Sequence, residues 1–150
     1  MRQKSILITG ASRGIGAETA RLFAREGYAV ALNYHRSREQ AMEIAAELQA
    51  DGCRVLPICA DVSDTEAVRR MVDIVLEEFC QLDTLLCNAG VGAPGLFTEM
   101  EIAAWRTLFT VNLDGVYHCC QAVLPHFIHQ KAGQIITVSS IWGTVGASCE

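Results

Sequence analysis

The sequence predicts an α/β fold, a doubly wound parallel sheet forming one domain over residues 1–150, and two observations predict it. Short apolar runs of strand length alternate with amphipathic stretches of helical period along the whole chain. Those runs are apolar at consecutive positions rather than alternate ones, the pattern of strands covered by helices on both faces. A chain of 150 residues can build one sizeable core, and neither a repeat, a low-complexity tract nor a linker divides it.

Residues 5–9 (SILIT) form the first strand and lead into a glycine-rich loop. From Ile15 the stretch IGAETARLFAREG spaces Ala20, Leu22, Phe23 and Ala24 helically and stops at Gly27. Residues 29–34 (AVALNY) read as the second strand. Residues 37–52 follow as a helix with Ala41, Ile44, Ala45 and Leu48 on one face, and 54–60 (RVLPICA) as the third strand. Residues 63–79 are a helix that Ser63 or Asp64 can cap, with Val68, Met71, Val72, Val75 and Phe79 as its stripe; 83–90 (DTLLCNAG) are the fourth strand. Residues 101–130 are one long helix or two abutting ones, with a bend expected at Pro125, and 133–140 (GQIITVSS) are the last strand. Right-handed crossovers between the parallel strands fix the topology.

Composition narrows the function. At 51% hydrophobic and 19% charged the chain is no disordered segment, and its net charge of −5 offers no field to attract nucleic acid or anionic lipid. The apolar run near the N-terminus is too short for a signal peptide or a membrane span, so a cytoplasmic protein with a small-molecule partner is expected. Seven cysteines, at 53, 59, 80, 87, 119, 120 and 149, are an odd number without a C-x-x-C spacing and read as reduced, buried thiols. His118-Cys119-Cys120, with His126 and His129 beyond, could tempt a metal reading. Adjacent helix positions point apart by about 100°, which favours core packing, and no metal is expected.

The loop TGASRGIG places Gly10, Gly14 and Gly16 between a strand and a helix. There, missing side chains let the backbone turn tightly and let a pyrophosphate approach the helix N-terminus. Dinucleotide sites usually carry an acidic residue about 20 positions further on, to accept from the adenine ribose hydroxyls. The corresponding stretch here, LNYHRSR, has no Asp or Glu and supplies Arg36 instead. With Arg13 in the loop, two guanidiniums can clamp a 2′-phosphate, which points to NADP(H) rather than NAD(H).

TGASRGIG, ADV at 60–62, NAG at 88–90, VNLDG at 111–115 and ITVSS followed by IWG stand in one chain, in order. Together they resemble the short-chain dehydrogenase/reductase family, a Rossmann-fold family, and within it the 3-oxoacyl-carrier-protein-reductase-like members. The resemblance implies that Thr9, Gly10, Ser12, Arg13, Gly14, Ile15 and Gly16 line the pyrophosphate and adenosine. Asp61 and Val62 would lie at the adenine, and Tyr34, like Arg36 at the end of the second strand, is a further cofactor-binding candidate. Asn88, Ala89 and Gly90 would end the fourth strand beside the cofactor, although Asn88 could equally tie neighbouring backbone groups together. Asn112 would mark a bent helical region holding a water in a proton relay, and Ser140 would orient the substrate carbonyl, with Ser139 as its structural neighbour.

In this chemistry a tyrosine supplies the proton, and a neighbouring lysine lowers its pKa from about 10. The Tyr-x-x-x-Lys expected about a dozen residues after the serine would fall beyond residue 150. Tyr28, Tyr34 and Tyr117 have no lysine four positions on, and the only lysines are Lys4 and Lys131. The 150 residues are therefore expected to be the N-terminal part of an NADPH-dependent ketone reductase, inactive alone and homo-oligomeric when full length. Its substrate would be a small or carrier-bound carbonyl compound, a 3-oxoacyl thioester first. SSIWGTVGASCE also resembles reductases that complete the aminopentanone modification of elongation factor P. A non-catalytic dinucleotide-binding or regulatory domain is the alternative of another class.

Overall fold

The computed structural model describes residues 2–146. Five parallel strands form one sheet in the order β3-β2-β1-β4-β5: β1 (Ser5–Ile8), β2 (Ala29–Tyr34), β3 (Val55–Cys59), β4 (Thr84–Cys87) and β5 (Gln134–Thr137). Central β1 pairs Leu7 with Ala31 of β2 on one side and with Leu85 of β4 on the other. Every residue of β1, β2 and β4 is buried, as consecutive apolar positions require.

Alternate side chains divide the core into two layers. Ile6 and Ile8, with Val30, Leu32 and Tyr34, pack under helices α1 (Gly14–Arg25) and α2 (Arg38–Ala50), whose Ala20, Ala24, Ala41, Ile44 and Leu48 are buried there. Leu7, Ala29, Ala31, Leu85 and Cys87 face the opposite layer, made by α3 (Thr65–Phe79) and α5 (Gly115–Gln130). The expected stripe of α3 is buried at all five positions. Asp64 is the residue that caps this helix, accepting from the N–H groups of Glu66 and Ala67. In α1 the buried face runs through Ala17, Ala20 and Ala24, and Leu22 stands on the outside, because a step of two residues turns a side chain about 200° round the helix.

Residues 101–130 divide at a position other than the proline. α4 (Ile102–Phe109) passes into one π-helical turn (Thr110–Asp114), in which Gly115 N–H bonds to Thr110 O, and α5 then runs through Pro125 to Gln130. Gly115 lets this helix approach the loop after β3, since a Cβ there would lie 2.8 Å from Val62 Cγ2. No helix among the described residues is long and apolar enough to cross a membrane.

One expectation about burial is corrected. Cys87 and Cys119 are buried and Cys53 and Cys120 partly so, but Cys59 ends the edge strand β3 and Cys80 holds the left-handed cap of α3, and both are exposed. Cys149 lies outside the described residues. Strand β5 is not covered on both faces: Ile135 is half-buried, while Gln134, Ile136 and Thr137 are exposed at the sheet edge.

The open edge of β5 lies in the same molecule as exposed Trp105, Leu113, Tyr117, Leu124 and Ile128 of the helical segment 102–130. Unpaired strand groups and apolar side chains are both adhesive surfaces. The 150-residue chain is expected to self-associate. Light-scattering chromatography checks this, and a sharp monomer peak with cooperative thermal unfolding would contradict it.

Candidate functional site

Strands β1 to β4 point their C-terminal ends toward one edge of the sheet, and the strand order changes direction between β1 and β4, where an open parallel sheet leaves a crevice. A cleft of about 550 Å³ occupies this edge. Its walls are the glycine loop (Gly10, Ser12, Arg13, Gly14, Ile15), the end of β2 (Asn33, His35, Arg36, Ser37), the segment after β3 (Ala60, Asp61, Val62, Ser63) and the end of β4 (Asn88, Ala89, Gly90, Val91), with Thr107 and Val111 closing one side. A second groove of about 330 Å³, outside α1 and α2, carries Glu18, Glu43 and Glu47 and is a poor place for a phosphate.

The glycine loop is held against β4 by a short network. Thr9 Oγ1 accepts the N–H groups of Asn88 at 2.9 Å and Ala89 at 3.0 Å, and Asn88 Nδ2 donates to Thr9 O at 2.9 Å and Gly10 O at 3.0 Å. Gly10 sits at φ +64°, and a Cβ there would lie 2.8 Å from Ala89 Cα. At Gly16 a Cβ would come within 2.6 Å of both Asn88 Nδ2 and Gly10 O. Thr9 and Gly16 are thus buried beneath the cleft as its latch, and the Asn88 side chain performs the tying role. Above them α1 begins at Gly14 with neither a side-chain cap nor an acidic residue in its first turn. Its leading N–H groups suit an anion.

At the other end, Asp61 Oδ1 accepts from Ser63 N at 2.9 Å and Ser63 Oγ at 2.7 Å, and Oδ2 lies 3.6 Å from His35 Nδ1. Burial pushes this carboxyl's pKa up, but the Ser63 hydrogen bonds and the nearby His35 and Arg36 outweigh it and hold the group below its ordinary value. Val62 O is hydrogen-bonded to His118 Nδ1 at 3.0 Å, which fixes the histidine to this loop.

Asn112 lies in the π-helical turn, the bent region expected for it. Its Oδ1 accepts from Val91 N and its Nδ2 donates to Val91 O, both at 2.9 Å, so the side chain pins the loop that follows Gly90. Ser140 follows β5, where Val138 N donates to Cys87 O at 2.9 Å and sets the serine segment beside the end of β4. Its exposed hydroxyl caps a short 3-10 turn, accepting from Trp142 N at 3.2 Å, and is not a wall of the cleft. Tyr34 corrects the expectation made for it. Its side chain belongs to the core layer under α1 and α2 and lines no part of the cleft.

Sequence reasoning missed Asn33. This side chain is 1% exposed, accepts from Gly10 N at 3.2 Å through Oδ1, and donates to Ala60 O at 3.0 Å through Nδ2, while its backbone O accepts from Ala11 N at 2.8 Å. It therefore joins the glycine loop to the segment after β3 across the cleft. The available signal was an asparagine, a residue depleted in strands, inside the otherwise apolar AVALNY.

The family model described as short chain dehydrogenase matches residues 4–150. The chain is 41% identical over 143 residues to the 3-oxoacyl-[acyl-carrier-protein] reductase FabG of Staphylococcus aureus (strain Mu50), covering 95% of this chain and 58% of that protein. It is 39% identical over 145 residues to the cis-4-hydroxycyclohexanecarboxylate dehydrogenase of Sinomonas cyclohexanicum, covering 96% of this chain and 57% of that one. A short chain dehydrogenase from Burkholderia cenocepacia, solved in complex with NADP, superposes with a TM-score of 0.91 at 35% identity over 99% of this chain and 60% of its own. The chain thus spans three-fifths or less of each of these relatives.

Replacing Asn33 by Leu would leave the acceptor at buried Ala60 unpaired, costing about 1–3 kcal/mol, and would free the part-buried N–H of Gly10 beside the cleft at a smaller cost. Asn33→Leu is expected to lower the urea midpoint accordingly with an unchanged denaturant slope. A midpoint equal to that of the parent chain would show that these bonds hold nothing.

Proposed function

The chain belongs to the short-chain dehydrogenase family, and we propose that it supplies the NADP(H)-binding part and the carbonyl-orienting serine of a ketone reductase, with a 3-oxoacyl thioester as the leading substrate. The observation that carries this reading is the cation pair on the cleft: Arg13 and Arg36 are both walls, and no carboxylate stands at the end of β2 to receive ribose hydroxyls. The pyrophosphate end supports it as well, because only glycines at 10 and 16 leave the backbone bare where a Cβ would collide.

In this reading the first-turn N–H groups of α1 hold the pyrophosphate, Arg13 and Arg36 hold the 2′-phosphate, and Asp61 and Val62 hold the adenine. Asn88, Ala89 and Gly90 form the floor toward the reacting end. The bound dinucleotide supplies hydride to a carbonyl carbon. The Ser140 hydroxyl then donates to the carbonyl oxygen as negative charge grows there. Asn112 keeps the Val91 loop in place beside it.

The nature of the substrate rests on the two curated relatives, whose names both describe exchange between a ketone and a secondary alcohol. The proton for the developing alkoxide needs an acid, and none of the three tyrosines among the described residues is placed to give it. Tyr28 packs edge-on against Phe23, Tyr34 is in the core, and the Tyr117 hydroxyl accepts from Gln121.

Two outcomes follow. The 150-residue chain alone is expected to reduce ketones at least 10²-fold more slowly than a relative carrying the Tyr-x-x-x-Lys segment, since a general acid contributes about 10²–10⁴-fold. NADPH oxidation at the relative's rate would refute this. In calorimetric titrations NADP+ is expected to bind more tightly than NAD+, and Arg36→Asp to reverse the order, because a carboxylate repels the phosphate and accepts from ribose hydroxyls. Equal affinities before and after the change would remove Arg36 from the site.

A further inference from the structure

We propose that His35 is a further determinant of cofactor choice: a third cation at the 2′-phosphate end of the cleft, present only when its imidazole is protonated. The proposal rests on the NADP(H) reading above and goes beyond it, because it makes the preference between the two dinucleotides depend on pH.

His35 is the first residue after β2 and shares the cleft wall with Arg36 and Ser37. Its position is held from two sides. The Cys59 thiol donates to its carbonyl oxygen at 3.4 Å, and its ring Nδ1 stands 3.6 Å from Asp61 Oδ2. Asp61 is itself anchored through its other oxygen by Ser63, so the carboxylate that faces the ring does not swing freely. The His35 side chain keeps 48% of its exposure, which leaves it open to a ligand in the cleft. Ser37, two residues on, is the N-cap of α2 with a hydroxyl that makes no capping bond, so the wall beside His35 has a donor to spare.

Asp61 from the β3–α3 segment faces the ring, Arg36 from its own loop and Arg13 from the glycine loop line the same cleft, and the Cys59 thiol bonds the His35 backbone carbonyl. Arginine stays charged throughout the physiological range. The Asp61 carboxyl is held below its ordinary value and remains ionised at pH 5.5. Histidine is the side chain whose charge changes between pH 5 and 8. Protonation of the ring would add one positive charge to a wall that already carries two arginines and one carboxylate. That charge attracts a 2′-phosphate, and a ribose hydroxyl gains little from it.

The test compares 2′,5′-ADP with 5′-AMP, which differ only by the 2′-phosphate, in calorimetric titrations of the parent chain and of His35→Gln at pH 7.5 and pH 5.5. The phosphate loses part of its own charge near pH 6, and this background is common to both proteins. At pH 7.5 the two proteins should prefer 2′,5′-ADP by factors that agree within about twofold. At pH 5.5 the preference of the parent chain should exceed that of His35→Gln by about threefold to fivefold, the range of a partly exposed charge pair. Equal preferences at pH 5.5 would overturn the role of His35 while leaving the cofactor reading intact. A variant that loses the same factor at both pH values would also overturn it, since the contact would then be independent of charge. A parent chain that shows no preference for 2′,5′-ADP at either pH would instead overturn the NADP(H) reading.

Discussion

Two backbone segments meet at the C-terminal ends of β1 and β4 more closely than side chains between them would allow. Gly10 stands against Ala89, and Gly16 against Asn88 and Gly10. Because β1 is hydrogen-bonded to β4 in parallel register, this approach occurs where the strand order reverses, and the loop above it has nowhere to go except over the sheet edge. The Thr9–Asn88 network locks the loop, the start of α1 is aimed at the cleft, and the rest of the site is arranged round that fixed point. A side chain at either glycine would move the loop, and with it the anion-binding end of the cleft.

The remaining walls are tied to the loop by polar groups buried among apolar strands. Asn33 links Gly10 to Ala60 and so ties the glycine loop to the segment after β3. Asn112 links the π-helical turn to Val91, and Gly115 allows α5 to press on Val62. The thiols of the second core layer take no part in this chemistry. The neighbouring Cys119 and burial raise the pKa of Cys87 far above that of a free thiol and keep it protonated as packing. Charge is concentrated instead at the β2 end, where Arg13, Arg36, His35 and Asp61 surround one part of the cleft in a protein of net charge −5.

The stripes of α2 and α3 were legible in the sequence because a helix buried on one side must repeat its apolar residues with a fixed period. The glycine loop was legible because it combines spacing with a strand before it and a helix after it. The direction in which residues at the end of β2 point was not legible. A strand buried on both faces carries no alternation, so nothing in AVALNY tells that Tyr34 turns into the α1–α2 layer while Asn33 turns toward the loop. Periodicity did not show the π-helical turn, because one extra residue in a helical turn leaves the pattern of its neighbours almost unchanged; only the resemblance marked the helix at Asn112 as irregular. Pro125 lies inside α5, which runs through it to Gln130 without ending. The open edge at β5 was legible only through the family resemblance, because sheet order is not contained in local pattern.

The central claim is that the crevice at the β1–β4 switch point is the dinucleotide site, and hydrogen–deuterium exchange of the 150-residue chain with and without NADP+ tests it most directly. The account predicts slowed exchange over residues 10–16, 35–37, 61–63 and 88–91, with no change in the α3–α5 groove lined by Asp73 and His118. Protection confined to that groove, or none at the glycine loop at saturating NADP+, would contradict it.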